Sequence, residues 1–326
     1  MRKTIFKVLC TIFLLILLIN QVDFSGLGNL PIQISLTWMV MAILMNIFAL
    51  LAIVWRWKII IGGMGVHKSF IDLFYVNLTS TFFGMFLPSS VGGDVSKMIM
   101  IAENASDREA AVSSVIIDRM IGMTVTIVTG IISLFFLPSL RENRVILGSL
   151  VITLLIVLLF VFLILNRRIF WKTINLIPVS IRKRFEESIS KIDQSIAKLQ
   201  NNLRTLISAL IVSFLRQVAI SVSFFCAGKS FGISAEMAVY FVVIPIVMAV
   251  TVLPISINGL GLQDNTMIFL LGMAGIGSVE ALFLSIFMHV TRNLTGIIGG
   301  ILYAFGHRRN NISSGVSRLS ERERFL

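Results

Sequence analysis

Long apolar runs, rather than the alternation typical of a half-buried strand, dominate the hydrophobic pattern of this chain. A helix needs about 20 mostly apolar residues to cross a hydrocarbon core about 30 Å thick. Six segments meet this requirement without an internal helix breaker, and each is predicted to be a membrane-spanning helix. They are approximately residues 4–20, 36–54, 115–137, 145–165, 205–226 and 281–305.

Two further apolar segments are interrupted by residues that break helices. The segment 70–101 is interrupted between Pro88 and Asp94, and the segment 236–275 is interrupted between Pro254 and Gly261. Non-helical backbone survives inside a bilayer only where protein buries it or where it lines a wet cavity. We therefore predict two re-entrant hairpins, one entering from the cytoplasm and one from outside, that flank a site.

The distribution of basic residues predicts the orientation of the chain. Lys and Arg are dense in residues 167–204 and in the tail 307–326, whereas residues 21–35 contain neither. Cytoplasmic loops carry this excess, so both termini are predicted to lie inside, and Arg56 is assigned to a cytoplasmic loop after the second span. No small-x-small cleavage site follows residue 20, which favours an uncleaved first span over a signal peptide.

The two interruptions resemble each other in sequence. Residues 87–93 read LPSSVGG and residues 253–259 read LPISING, 166 residues apart. Adding 166 to the bounds of the third predicted span gives residues 281–303, which nearly coincide with the last predicted span. This pattern predicts an inverted repeat with halves at approximately 1–137 and 145–306, an arrangement typical of transporters that alternate access around a midplane site. Chance similarity between membrane sequences rich in the same residues is the alternative.

A polar insert, residues 166–204, separates the fourth and fifth predicted spans. Apolar residues recur in it at intervals of three and four, which predicts one amphipathic helix. They are Ile181, Phe185, Ile189, Ile192, Ile196, Leu199 and Leu203. Two placements remain open for this helix: on the anionic inner leaflet, or against the cytoplasmic ends of the spans.

Composition supports a single all-α membrane domain covering residues 1–326. Of these residues 56% are hydrophobic and only 13% are charged, a balance that excludes an ordinary soluble domain. The net charge of +12 comes from basic residues that flank apolar runs, so nucleic acid is not an expected partner. Cys10 and Cys226 stand alone, and no metal-ligand spacing occurs, so no cofactor or metal is expected.

Ionisable residues inside apolar segments are costly and mark a candidate site. We hypothesise that Arg119, Arg216 and Arg292, from three different spans, converge with the hairpins on a cavity for a lipid phosphate, which guanidinium groups bind bidentately. Alternatively, each arginine extends to the interface or closes a structural ion pair. The predicted substrate-binding set is Ser90, Gly92, Gly93, Asp94, Lys97, Asp118, Arg119, Arg216, Ser256, Asn258, Gly259, Asp264 and Arg292.

The roles within this set differ. The glycines begin half-helices whose backbone N–H groups can bind an anion. Asp118 and Arg119 are adjacent and therefore pair with separate partners, Lys97 or another hairpin residue being the partner expected for Asp118. The serines and Asn258 either bind substrate or satisfy carbonyls freed by the prolines. No His lies beside a Ser or Cys in a nucleophile motif, so no catalytic residue is assigned.

Four segments carry a resemblance to a known family. They read PSSVGGDVSK at 88–97, SVIIDRMIGM at 114–123, LPISINGLGL at 253–262 and GIIGGILY at 296–303. Together they resemble the lysylphosphatidylglycerol synthase transmembrane-region family, also called flippase-like domain proteins, over nearly the whole chain. The resemblance implies lipid translocation, as in the membrane half of the multiple peptide resistance factor, which carries aminoacylated phosphatidylglycerol across the bacterial membrane.

This sequence departs from that family at two places. The family commonly has Arg where Lys97 stands, and Arg-Glu where Gln263 and Asp264 stand. The first change keeps a cation and the second loses one. The soluble aminoacyl-transferring domain of the fused members has no counterpart in these 326 residues, so we expect no lysyl transfer.

The leading functional hypothesis is a lipid translocase that moves an anionic phospholipid or lipid-linked glycan between the leaflets of a bacterial or archaeal cell membrane. On this hypothesis the protein is not an enzyme. One alternative is a membrane-embedded transferase acting on a lipid phosphate. Another is a non-catalytic membrane partner of an envelope-biosynthesis enzyme. The oligomeric state is left open.

Overall fold

The structure is a computed structural model that describes residues 2–22, 34–86, 92–103, 107–133, 179–251, 256 and 259–323, with single positions between 148 and 159. Within these ranges it contains ten helices of 12 or more residues and no strand, which confirms the predicted all-α class. The helices are α1 (Arg2–Gln21), α2 (Leu36–Gly63), α3 (Phe70–Phe86), α4 (Gly92–Glu103), α5 (Arg108–Ser133), α6 (Val179–Gln200), α7 (Leu203–Ser230), α8 (Met237–Val250), α9 (Leu262–Met273) and α10 (Ser278–Glu323).

Four helices are long and apolar enough to cross a membrane. They are α2, α5, α7 and the part of α10 that covers Ser278–Phe305, and they correspond to the second, third, fifth and sixth predicted spans. Helix α1 contains a shorter apolar stretch, Cys10–Ile19. The predicted span 145–165 lies almost entirely outside the described residues. The chain is therefore a multi-pass membrane protein, and the total of six spans stays a prediction.

Helix α2 continues beyond the predicted end at residue 54 as far as Gly63. Arg56 therefore lies inside a helix, and only 3% of its surface is exposed. Its assignment to a cytoplasmic loop is wrong, because a carboxylate on a neighbouring helix neutralises its charge and permits burial. The predicted orientation, which used Arg56 among other residues, is not tested.

Each interrupted segment contains two short helices. Helices α3 and α4 flank residues 87–91, and α8 and α9 flank residues 251–261. Helices α4 and α9 have 12 residues each, which gives each a length of about 18 Å, too short to cross the hydrocarbon core. The chain enters α9 through Gly259 and Gly261, whose φ angles of 80° and 76° suit glycine. Re-entry from opposite sides stays a prediction.

The order of the helices repeats along the chain, and two of the corresponding pairs have equal lengths: α2 with α7, and α4 with α9. Helices α2 and α7 have 28 residues each and make the most extensive helix contact of the described chain. The first short helix of each half packs on the last helix of the other half: α3 on α10, and α8 on α5. These two contacts are reciprocal with respect to the predicted halves. The limits of the halves and their opposite orientation stay predictions.

Glycines make the contact between α3 and α10 unusually close. A Cβ atom on Gly299 would collide with the backbone oxygen of Leu78, and one on Gly300 would lie 2.6 Å from the Phe82 ring. Small residues allow membrane helices to pack backbone against side chain in this way. Gly84 of α3 likewise faces Gly93 of α4, since an added Cβ would lie 3.2 Å from the Gly93 Cα. Helices α4, α3 and α10 thus form one closely packed layer.

The polar insert forms helix α6, as its periodicity predicts. Ile196 and Leu199 are buried, and α6 contacts α5, α7 and α2. The C-terminal end of α6 therefore packs against the helix bundle, as the second placement predicts. Contact of α6 with the inner leaflet is not tested.

Candidate substrate-binding cavity

A cavity of about 490 Å³ lies between the two interrupted segments, with walls from helices α2 to α5 and α7 to α10. Threonine, serine and amide side chains share its surface with charged groups. Among the described residues, the charged side chains of the wall are Arg56, Asp94, Lys97, Asp118, Arg119, Arg216 and Arg292. The arginines of the three spans named from the sequence thus lie around one cavity. Whether they bind substrate stays a prediction.

Asp118 neutralises two buried cations. Arg56 Nε donates to Asp118 Oδ1 at 2.7 Å, and Lys97 Nζ lies 3.7 Å from Asp118 Oδ2. Arg56 Nη1 also donates to Ser213 Oγ on α7 at 3.1 Å. Burying a charge costs several kcal/mol unless a partner compensates it. The carboxylate therefore joins α2, α4 and α5, and the expected pairing with Lys97 is confirmed.

Lys97 is fixed on three sides. Besides Asp118, its Nζ lies 3.8 Å from the centroid of the Trp57 ring, a cation–π contact. It also donates to Asn77 Oδ1 of α3 at 3.4 Å. Trp57 is held in turn, because its Nε1 donates to Ser114 Oγ at 2.9 Å. The position of the ammonium group is therefore set by α2, α3 and α5 together.

Gly122 makes room for the Arg56 guanidinium. A Cβ atom at Gly122 would lie 2.8 Å from Arg56 Nη1 and 2.9 Å from Nη2. These distances are too short for a relaxed contact. The absence of a side chain one turn after Asp118 thus allows the buried ion pair to form.

Two further pairs join α4 to α5 and α9 to α10. Arg119 Nη1 donates to Asp94 Oδ2 at 2.5 Å, and this contact is called the α4 pair. His289 Nε2 lies 2.7 Å from Asp264 Oδ1, and this contact is called the α9 pair. In both pairs the carboxylate lies in the first turn of the short helix, and the partners are 25 residues apart. The two pairs therefore occupy equivalent positions in the repeated helices.

The α9 pair also reaches the cavity. Arg292 Nη2 contacts His289 Nδ1 at 2.8 Å. A guanidinium only donates, so Nδ1 accepts, and the neutral ring carries its proton on Nε2 and donates it to Asp264. Asp264 also accepts from the Gly261 backbone N–H at 2.7 Å and from the Ser285 hydroxyl. This network holds Arg292 at the cavity wall.

The wall offers hydrogen-bond donors that have no acceptor. Arg292 Nε and Gln263 Nε2 are buried atoms without a hydrogen-bond partner in the described part of the chain. Arg216 lines the cavity and makes no ion pair with any described carboxylate. Buried donors are nearly always satisfied in native proteins, by water or ligand where protein groups do not reach them. The cavity is therefore suited to a group rich in acceptor oxygens.

Comparison of the sequence with known families decides the family of this chain. The family model described as lysylphosphatidylglycerol synthase TM region matches residues 4–300. The chain belongs to this family. Membership confirms the resemblance drawn from the sequence motifs and links the protein to lipid metabolism or flippase-like activity. No curated protein and no solved structure matches the chain significantly.

In this member of the lysylphosphatidylglycerol synthase TM region family, most of the predicted site residues lie at the cavity. Those in its wall are Gly93, Asp94, Lys97, Asp118, Arg119, Arg216 and Arg292. Asp264 lies behind His289, and Gly92 and Gly259 lie in the turns that begin α4 and precede α9. Ser256 is buried, and its hydroxyl has no partner among the described residues. Ser90 and Asn258 lie outside the described residues.

Some wall residues were not predicted. Arg56 was read as a loop residue, although the apolar run after it, residues 59–61, indicates that the helix continues. Asn77, Ser80 and Thr81 of α3 also line the cavity. Their recurrence at three and four residues in an apolar helix is the signal that could have identified them. Gln263 of α9 lies in the wall as well.

Proposed function

We propose that this protein is a lipid translocase that moves an anionic phospholipid or a lipid-linked glycan between the leaflets of a bacterial or archaeal cell membrane. The observation that carries the proposal is the cavity itself. Among described residues, five cationic side chains and two carboxylates line it, inside a bundle of helices whose outer surfaces expose large apolar side chains. Such a concentration of charge at membrane depth is costly, and it supports a function in binding a charged headgroup.

The headgroup would occupy the cavity while the acyl chains remain in lipid. Outside the cavity the long helices expose large apolar side chains, such as Leu44 and Phe48 of α2 and Ile211 and Phe214 of α7. Arginine forks and the backbone N–H groups that begin α4 would bind phosphate oxygens. No covalent bond is made or broken in this scheme, so the protein is not an enzyme.

Movement between the leaflets would follow from the repeated architecture. Transporters built from paired repeats expose a central site alternately by rocking one repeat against the other. The α4 pair connects α4 to α5, and the α9 pair connects α9 to α10. In this scheme each pair holds one side of the cavity closed. In this scheme the two pairs open in turn.

Lipid exchange in proteoliposomes tests the proposal. Fluorescent phosphatidylglycerol, lysyl-phosphatidylglycerol and a polyprenyl phosphate would each be placed in both leaflets, and a membrane-impermeant quencher would measure exchange. We expect the wild-type protein to accelerate exchange of one of these lipids and Arg216→Gln to abolish it. Arg204→Gln, which removes an exposed arginine from the same helix, is the control and should exchange lipid normally.

Absence of exchange with every lipid, in protein with a cooperative thermal transition, would refute the translocase proposal. A recruiting role for an envelope-biosynthesis enzyme would then be tested by removing residues 310–326. Under that role the truncation abolishes function in cells, whereas a translocase without this tail retains exchange in liposomes.

A further inference from the structure

We infer that the cavity binds a group with two negative charges on its terminal phosphate, such as the phosphomonoester or diphosphate end of a lipid. This inference rests on the proposed translocase function of the same cavity and narrows its substrate. Phosphodiester headgroups, which carry one phosphate charge, and aminoacylated headgroups, which add positive charge, would fit less well.

The charge balance of the wall supports two negative charges. Of the five described cations, Arg56 and Lys97 share Asp118, and Arg119 pairs with Asp94. The net charge of the wall is therefore +3. It is +2 if Asp264, which contacts His289 and is not itself in the wall, is included. Residues 87–91, between α3 and α4, and residues 251–261, between α8 and α9, contain no ionisable side chain, so they do not alter this balance.

The unpaired donors support the same class of ligand. Arg292 Nε and Gln263 Nε2 have no acceptor in the described chain, and Arg216 has no carboxylate partner there. A fully ionised phosphomonoester presents three acceptor oxygens and no donor, and arginine forks bind such oxygens in pairs. A phosphodiester presents one non-bridging oxygen fewer, because that oxygen forms the second ester bond. The donor set therefore matches a terminal phosphate better than a bridging one.

The carboxylates of the wall argue against a cationic headgroup. A lysyl group would need an acidic partner, but Asp94 and Asp118 already pair with cations of the wall. The ammonium groups of such a lipid would also meet Arg216 and Arg292. Like charges in a desolvated site repel strongly, and this repulsion excludes wrong ligands.

A pair of lipids that differ by one methyl group tests the inference. Phosphatidic acid ends in a phosphomonoester, and phosphatidylmethanol is its methyl ester with one charge fewer. In the exchange assay we expect phosphatidic acid to move at least about tenfold faster than phosphatidylmethanol, the value for loss of one charge-assisted hydrogen bond. Arg292→Gln should reduce this preference, whereas Arg204→Gln should leave it unchanged.

A binding measurement separates this inference from the translocase proposal. Calorimetric titration of the detergent-purified protein would compare dihexanoyl phosphatidic acid, dihexanoyl phosphatidylmethanol and inorganic pyrophosphate. Tighter binding of the phosphatidic acid without lipid exchange would support the inference and refute the translocase. Equal exchange of the two lipids would support the translocase and overturn the inference. Equal binding of the two short lipids would also overturn the inference. Pyrophosphate that binds as tightly as the short lipid would identify a free phosphate, not a lipid, as the ligand.

Discussion

At the scale of single residues, Asp118 pairs with two cations, Arg56 and Lys97. Its side chain is 6% exposed, and the Arg56 and Lys97 side chains are 3% and 6% exposed. Two cations from different helices can share a buried site only because this carboxylate lies between them. The carboxylate thereby fixes the position of two wall residues.

Asp118→Asn should be strongly destabilising, because it leaves both cations buried without a countercharge. We expect a loss of about 3–5 kcal/mol, the usual cost of breaking one side of a buried ion pair. Thermal unfolding in detergent measures it, with Asp72→Asn on exposed α3 surface as the matched control. A shift in Tm no larger than that of the control would show that Asp118 is dispensable for stability.

Gly122→Ala should displace the Arg56 guanidinium from Asp118, since the added Cβ would lie 2.8 Å from Nη1. We expect a loss of about 1–3 kcal/mol, typical of overpacking at a buried site. A double-mutant cycle with Arg56→Met tests the cause, because the alanine should cost little once the guanidinium is gone. Additive effects of the two substitutions would contradict this explanation.

At the scale of helices, the α4 pair and the α9 pair differ in one respect. Arg119 is permanently charged, whereas His289 is neutral in the observed arrangement, because Arg292 donates to its Nδ1. His289 therefore bridges Asp264 and Arg292, since it donates to the carboxylate and accepts from the guanidinium. Its contribution is geometric and depends on one donor and one acceptor on the same side chain.

His289→Gln and His289→Ala separate these contributions. Glutamine carries both a donor and an acceptor and should largely preserve exchange, while alanine leaves Arg292 unpositioned and should slow exchange by about tenfold, as for one lost buried hydrogen bond. Lipid exchange in proteoliposomes is the measurement. Equal rates for the two variants would show that the network does not position Arg292.

The contact of α3 with α10 gives a prediction about stability. Gly299→Ala places a methyl group against the Leu78 backbone oxygen, which cannot move without the whole helix, and we expect a loss of about 1–3 kcal/mol. Gly62→Ala in α2 is the control, since no atom lies within 4 Å of the added Cβ and alanine favours a helix. A Tm for Gly299→Ala as high as that of the control would mean that the two helices can separate freely.

At the scale of the whole molecule, the local hydrophobic pattern predicted much of the architecture. The four long helices, the two interrupted segments and helix α6 were all anticipated, because apolar length and periodicity are properties of neighbouring residues. Arg119, Arg216 and Arg292 were identified because charge in an apolar run is conspicuous. The burial of Arg56 was not predicted, because it depends on Asp118, 62 residues away, and no local pattern identifies such a partner.

The exchange of partners between the halves sets an order for biosynthesis. Helix α3 is translated early, yet the surface that receives it belongs to α10, which follows all the other described helices in the chain. Until α10 is inserted, the cavity that Asn77 and Ser80 line is incomplete. Polar groups exposed to lipid are costly. A chain truncated before Ser278 should therefore be recognised and degraded by membrane proteases as incomplete, although most of its helices have already been made.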